Sequence, residues 1–137
     1  MEKATITSKE AIEALLSAVP EYSPDERDVA DELATVVYGS FKHFIADLLE
    51  DDDKYKAVLQ RIFAFLEAFA DVDKHARNIL QTGLLEVLES NPPLKAKMIE
   101  YMGPKTLYLL REIDAFWEGR QREFHASHVN PWPERQN

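Results

Sequence analysis

Lys54-Tyr-Lys-Ala-Val-Leu-Gln-Arg-Ile-Phe-Ala-Phe-Leu-Glu-Ala-Phe-Ala70 decides the fold class. Placed at 100° per residue, Val58, Leu59, Ile62, Phe63, Phe65, Leu66 and Phe69 fall within about 160° of arc, and Lys56, Gln60, Arg61 and Glu67 take the other side. So wide an apolar stripe predicts a helix packed against more than one neighbour.

The same period continues downstream. Asp71-Val72-Asp73 interrupts it, and Asp73 is a candidate N-cap for a helix over residues 74 to 89. Ala76, Ile79, Leu80, Gly83, Leu84 and Val87 share one face; Leu85 lies off it and Leu88 at its margin. This helix is expected to be the most enclosed. Gly83 costs about 1 kcal/mol relative to Ala in a helix interior, and close approach of another helix is a reason to keep it. Ser90-Asn91-Pro92-Pro93 breaks the chain. A short helix over 94 to 101 and a bend at Met102-Gly103-Pro104 follow. The last helix spans 105 to 118, with Leu109, Leu110, Ile113, Phe116 and Trp117 on one face and Gly119 as its stop.

Upstream, the triple Asp at 51–53 suits a linker or a helix start better than a helix interior. Before it, Phe41, Phe44, Ile45, Leu48 and Leu49 predict a short helix capped by Ser40, with Tyr38-Gly39-Ser40 as a break or bend. Ser23-Pro24-Asp25-Glu26 combines an N-cap, a proline at the first helical position and an N3 glutamate. The helix it starts runs to residue 37, with Val29, Leu33, Val36 and Val37 inward. Thr7 and Glu10 have capping-box spacing for a first helix over 8 to 18, stopped by Pro20.

No stretch alternates with period two. The expectation is an all-α chain without sheet, a compact bundle or stacked helical hairpins of about seven helices. Residues 1–119 form its single domain. Residues 120–137 read as an irregular tail, either disordered or laid over the domain by Phe124 and Trp132.

The totals bound the function. At 137 residues the chain can bury roughly two-thirds of its unfolded surface. With Cys at 0, disulfides, thiolate chemistry and Cys-containing zinc sites are excluded. No apolar stretch approaches the roughly 20 residues needed to cross a bilayer, and the N-terminus lacks a signal-type apolar run. No membrane insertion and a cytoplasmic location are therefore the expectation. Lys and Arg number 16 against 25 Asp and Glu, a net charge of -9. Residues 1–70 hold 7 basic against 15 acidic side chains, net -8, so the acidity belongs to the first half. It has two centres: Asp25, Asp28, Asp31 and Glu32, and then Asp47, Glu50, Asp51, Asp52 and Asp53. They are either a solvated face and linker or a surface for a basic protein. Nucleic acid is excluded as a partner by the same sign.

Catalytic and metal motifs are missing. No phosphate loop, dinucleotide loop, nucleophile elbow or zinc helix appears. Asp51 to Asp53 lack the spacing and the central Gly of a calcium loop. Glu67 and Glu86 have no His three residues on, as a helical di-metal site needs. Glu67 reads as a solvated carboxylate. His43 stands four residues before Asp47, in helix-surface ion-pair geometry. His75 is in a first helical turn near Asp71 and Asp73, and His125 and His128 lie in the tail. No catalytic residue, cofactor or metal is assigned. Phe63, Phe65, Phe69, Phe116 and Trp117 read as core, while Trp132, between prolines, reads as an idle tail residue or a surface anchor.

Two stretches, Asn78-Ile-Leu-Gln-Thr-Gly-Leu-Leu-Glu-Val-Leu-Glu89 and Met102-Gly-Pro-Lys-Thr-Leu-Tyr-Leu-Leu-Arg-Glu-Ile-Asp-Ala-Phe-Trp117, with Ala18-Val-Pro20, carry a resemblance. Over residues 10 to 118 the chain resembles a group of small, all-helical, uncharacterised bacterial proteins. Some of these are regarded as immunity proteins of polymorphic-toxin or contact-dependent inhibition systems. The resemblance implies an accessory binding protein without enzymatic activity. The leading expectation is thus an acidic inhibitor of a cognate basic toxin domain, a nuclease by the charge argument. The alternatives are a helical regulatory module, including a homodimer, and a small metal- or ligand-binding enzyme.

Overall fold

The computed structural model describes residues 5–24 and 33–132, and it is all-α, with no strand among the described residues. The helices are α1 Ser8–Ala18, α2 Ala34–Leu49, α3 Asp52–Phe69, α4 Lys74–Ile79, α5 Pro92–Ile99, α6 Pro104–Trp117 and α7 Gln121–Ser127. Between α4 and α5 the chain stays helical, as a π-turn over Leu80–Leu85 and a 3₁₀ segment over Glu86–Ser90. This central 74–90 segment is a rod contacted by α2, α5 and α6. α2 packs on its π-turn, α6 crosses the same turn, α1 packs on α2 and α3, α5 meets the 3₁₀ segment, and α7 returns onto α6.

The rod departs from the single helix expected there, and glycine explains how. A Cβ on Gly83 would lie 2.8 Å from the carbonyl oxygen of Thr35 and 3.0 Å from its Cα. A Cβ on Gly39 would lie 3.2 Å from the carbonyl oxygen of Gly83. Two backbones therefore touch where α2 crosses the rod. α2 also runs unbroken through Gly39, which is a contact point and not the break that the sequence suggests. A π-turn takes one residue more than an α-turn, so the face downstream of it is displaced by one position. Leu85 and Leu88 become fully buried and Val87 is 36% exposed, the reverse of the uniform-helix expectation.

Several local signals work as read. Thr7 Oγ1 accepts from the Glu10 N–H at 3.1 Å and the Glu10 carboxylate accepts from the Thr7 N–H at 3.0 Å, a reciprocal capping box. Asp73 Oδ1 accepts from the Ala76 N–H at 2.8 Å. Its Oδ2 accepts from the Ile6 N–H at 2.7 Å, and the ring of His75 donates from Nδ1 to the Ile6 carbonyl at 2.6 Å. Ile6, just before α1, is thereby fixed to the start of α4. Gly119, at φ 70, ends α6 in a Schellman motif: its N–H reaches Phe116 O at 3.1 Å and the Arg120 N–H reaches Ala115 O at 2.7 Å.

Two helices take their caps from elsewhere. α2 begins after Leu33, which has no side-chain acceptor; Ser8 Oγ of α1 accepts from the Ala34 N–H at 3.2 Å instead. α6 begins after Gly103, and here Glu67 of α3 supplies both oxygens. Oε2 accepts from the Lys105 N–H at 2.7 Å, and Oε1 from the Thr106 N–H at 3.0 Å and hydroxyl at 2.8 Å. A Cβ at Gly103 would fall 2.5 Å from the Glu67 carboxyl carbon. Glu67 is thus a structural anion at a helix N-terminus, not the solvated carboxylate expected from its polar position.

The tail also departs from expectation. Residues 121–127 are helical, although the sequence shows no period there, because Phe124 alone is needed to seat so short a helix. Beyond it Trp132 folds back to 4% exposure. Its indole N–H donates to Asp71 Oδ1 at 2.9 Å, its edge meets Tyr108, and the buried guanidinium of Arg77 lies 4.6 Å from its ring centre. Of the two tail readings, fold-back applies over the described residues.

Candidate partner-binding surface

The second acidic centre forms one corner of the molecule. α2 ends at Leu49, Glu50 and Asp51 make the turn, and α3 starts at Asp52. Asp47, Glu50, Asp51, Asp52 and Asp53 are all exposed. Asp52 and Asp53 sit in a first helical turn, where the helix dipole favours negative charge. Asp47 and Glu50 sit at the opposite kind of end. The last turn of α2 has no basic residue, so two carboxylates face the negative pole of that helix. Asp51 occupies the N-cap position of α3 without using its side chain as a cap. Among the described residues no cation pairs with any of the five.

The corner continues into a shallow groove of about 310 Å³ lined by Asp52, Lys56, Gln60, Glu100 and Tyr101. The Tyr101 hydroxyl donates weakly to Asp52 Oδ2 at 3.4 Å. Loss of water contact raises the Tyr101 phenol above its ordinary value of 10.0, and the charge of Asp52 adds to this. The groove is open, and its lining holds the carboxylates of Asp52 and Glu100 and the ammonium of Lys56. The first acidic centre, Asp25, Asp28, Asp31 and Glu32, lies outside the described residues, as does Val29 of the helix expected there.

The histidines do not converge with one another. His43 is exposed one turn before Asp47, and His75 is the clasp on Ile6. His125 Nε2 meets Glu112 Oε2 at 2.7 Å, and His128 stacks on Phe124 at 4.2 Å. Among the described residues no group of three or more His, Cys, Asp or Glu side chains is placed to hold a metal ion. No helix among them is long and apolar enough to cross a membrane.

One polar cluster has the look of catalytic carboxylates. Lys95 Nζ bridges Asp114 Oδ1 at 2.5 Å and Glu89 Oε1 at 3.1 Å, and Arg111 adds a bond to Asp114 at 3.1 Å. Sharing a hydrogen bond with Asp114 raises the Glu89 carboxyl above its ordinary value. Burial also pushes Asp114 upward, but hydrogen bonds from Glu89, Lys95 and Arg111 outweigh it and hold Asp114 low. The cluster ties α5 and the 3₁₀ segment to α6, and each group in it is already engaged.

Sequence reasoning missed four exposed apolar side chains. Phe116 and Trp117 were expected on the buried face of α6, but they are 54% and 60% exposed; Leu109, Leu110, Ile113 and Ala115 carry that face. The Schellman turn ends α6 just beyond them, and among the described residues no element covers the two rings. Leu33 and Val36, expected inward on a helix running from 24 to 37, are likewise exposed; Leu33 precedes α2, Val36 lies in its first turn, and Val37 is buried. Each lay on a plausible helical face, so periodicity held no signal that would separate them.

No curated protein matches the chain, and no solved structure does. A family model matches residues 12–118. The chain belongs to the family described as Domain of unknown function (DUF7674).

Proposed function

We propose that this chain is a non-enzymatic binding protein of immunity type, which neutralises a basic protein partner, a nucleic-acid-cutting toxin domain, through its acidic corner. The observation that carries the reading is the placement of Asp47 and Glu50. Both stand at a helix C-terminus with no basic residue in that turn, where the helix dipole disfavours negative charge. Charge retained against the folded state's interest is a reason to look for its use in binding. Carboxylates of the corner would meet the Lys and Arg with which such a toxin holds phosphates, and steer the encounter.

The test is kinetic. A toxin gene beside this one supplies the partner, or affinity capture from native lysate identifies it. Association measured by stopped flow at low and high salt should slow by about tenfold or more across that range. Charge reversal at Asp51, Asp52 and Asp53 together should slow it at low salt and remove most of the salt dependence. A rate indifferent to both treatments removes the corner from the reading. A captured partner without basic surface removes the toxin class.

A further inference from the structure

The last turn of α6 carries an exposed aromatic pair whose residues are distinct from those of the acidic corner. Phe116 and Trp117 stand exposed and edge to face at 5.4 Å. Beside them runs a groove of about 190 Å³, bounded by Gln81, Glu86, Glu112, Ile113 and the two rings. That volume is below the roughly 300–1,000 Å³ of pockets that enclose a drug-sized ligand. It suits one inserted side chain, not a metabolite.

The charge of the lining says which kind. It holds two carboxylates and no Lys or Arg. Glu112 is committed: Oε1 accepts from the Gln81 amide at 2.8 Å and Oε2 meets His125 at 2.7 Å. Glu86 is exposed, and among the described residues it has no cationic partner. A cation is therefore the missing component, with an exposed indole beside it. Tryptophan is the best aromatic face for a cation, and guanidinium stacks on it as well as carrying charge.

We propose that this groove receives an arginine or lysine side chain from a basic segment of a partner protein. Its aliphatic stem lies along Trp117 and Phe116, and its charged head sits between the indole face and the Glu86 carboxylate. A second copy of this chain fits poorly, since each copy carries a net charge of -9 and brings more carboxylate to a carboxylate-lined groove. The inference uses different residues from the acidic corner, so either can fall without the other.

The experiment titrates the ¹⁵N-labelled protein with an acetylated tetra-arginine peptide, with tetra-glutamine as control. The protein has 2 Trp, one exposed and one buried, so its two indole N–H signals are separate reporters. The Trp117 signal should move with the arginine peptide and not with the control, and the Trp132 signal should stay. Trp117→Ala should weaken the peptide about tenfold or more, and Glu86→Gln about threefold. Both positions are exposed, and an unchanged amide spectrum elsewhere confirms the fold. With Asp51, Asp52 and Asp53 reversed to Lys, the Trp117 shift should persist. A stationary Trp117 signal, or shifts confined to residues 51–53, overturns the proposal and leaves the acidic corner standing. So does self-association by sedimentation that Trp117→Ala abolishes, because the occupant is then a second copy.

Discussion

Glu67 Oε1 accepts two hydrogen bonds from one residue, Thr106, through its backbone N–H at 3.0 Å and its hydroxyl at 2.8 Å. Thr106 is fully buried, so neither donor has water as an alternative. Glu67→Ala is expected to cost about 2–3 kcal/mol, the sum of a lost cap and unsatisfied donors. Thr106→Ala, which removes only the hydroxyl, should cost about 1 kcal/mol. Urea denaturation of both singles and the double checks this. The double should be less destabilised than the sum, since the two share one bond. Additive losses would mean that the bond between the Thr106 hydroxyl and Glu67 carries no coupling energy.

Three glycines predict three different costs. Gly83→Ala pushes a Cβ into the Thr35 backbone, which cannot move as a side chain can, and should destabilise by about 3 kcal/mol. Gly39→Ala meets backbone at a longer 3.2 Å and should cost less. Gly119→Ala meets nothing within 4 Å, and only its φ of 70 opposes it, so about 1 kcal/mol is expected. Thermal melts of the three should rank in that order. A harmless Gly83→Ala would show that the helix crossing is looser than described.

Trp132 joins the segment after α7 to Arg77, Tyr108 and Asp71. Trp132→Ala should therefore cost about 3 kcal/mol, as for a buried aromatic and not as for a tail. It also bears on acid stability. A hydrogen bond from Lys105 lowers the Asp71 carboxyl below its ordinary 3.8, and the Trp132 indole N–H lowers it further. A carboxylate held low stabilises the folded state above its unfolded value, and that contribution is lost as pH falls through the folded one. Trp132→Phe should shrink this acid-dependent part without reversing it. Asp71 is largely exposed, which limits the size of the effect.

Glu89 gives the opposite sign. Its raised carboxyl favours the protonated form in the folded state, a contribution present below the ordinary value of 4.5 and lost as pH rises through the folded one. Glu89→Gln, always neutral, should be at least as stable as the parent at pH 7, with the difference closing in acid. Asp114→Asn should instead destabilise at pH 7 by about 1–2 kcal/mol, because it deprives Lys95 and Arg111 of their shared acceptor. Denaturation at pH 4 and pH 7 separates the two.

Helix type was legible because it depends on period, and α3 carries its period in its own residues. Caps made within a helix's own first turn were legible too: Thr7 with Glu10, and Asp73 with Ala76. Asn91 shows the limit, since it accepts from the Leu94 N–H at 3.3 Å and starts α5 at Pro92, two residues before expectation. The starts of α2 and α6 were harder. Leu33 and Gly103 carry no cap, and their substitutes, Ser8 and Glu67, lie 26 and 38 or 39 residues away from the groups they bind. The acidic corner was readable because charge and adjacency are both local. The exposure of Phe116 and Trp117 was not, because it depends on whether anything returns to cover the last turn of α6.

The change of pitch over Leu80–Leu85 also governs how the chain can shorten. A residue lost from a loop is absorbed by the loop. A residue lost here is absorbed as well, because an α-turn covers the same rotation with one residue fewer. Leu88 would stay inward and Val87 outward. A residue lost from the interior of α3 has no such reserve, and would turn the rest of that helix by about 100°. Circular dichroism would read both deletions as helical, while proteolysis and packing-sensitive near-ultraviolet signals would report only the second as assembled out of phase.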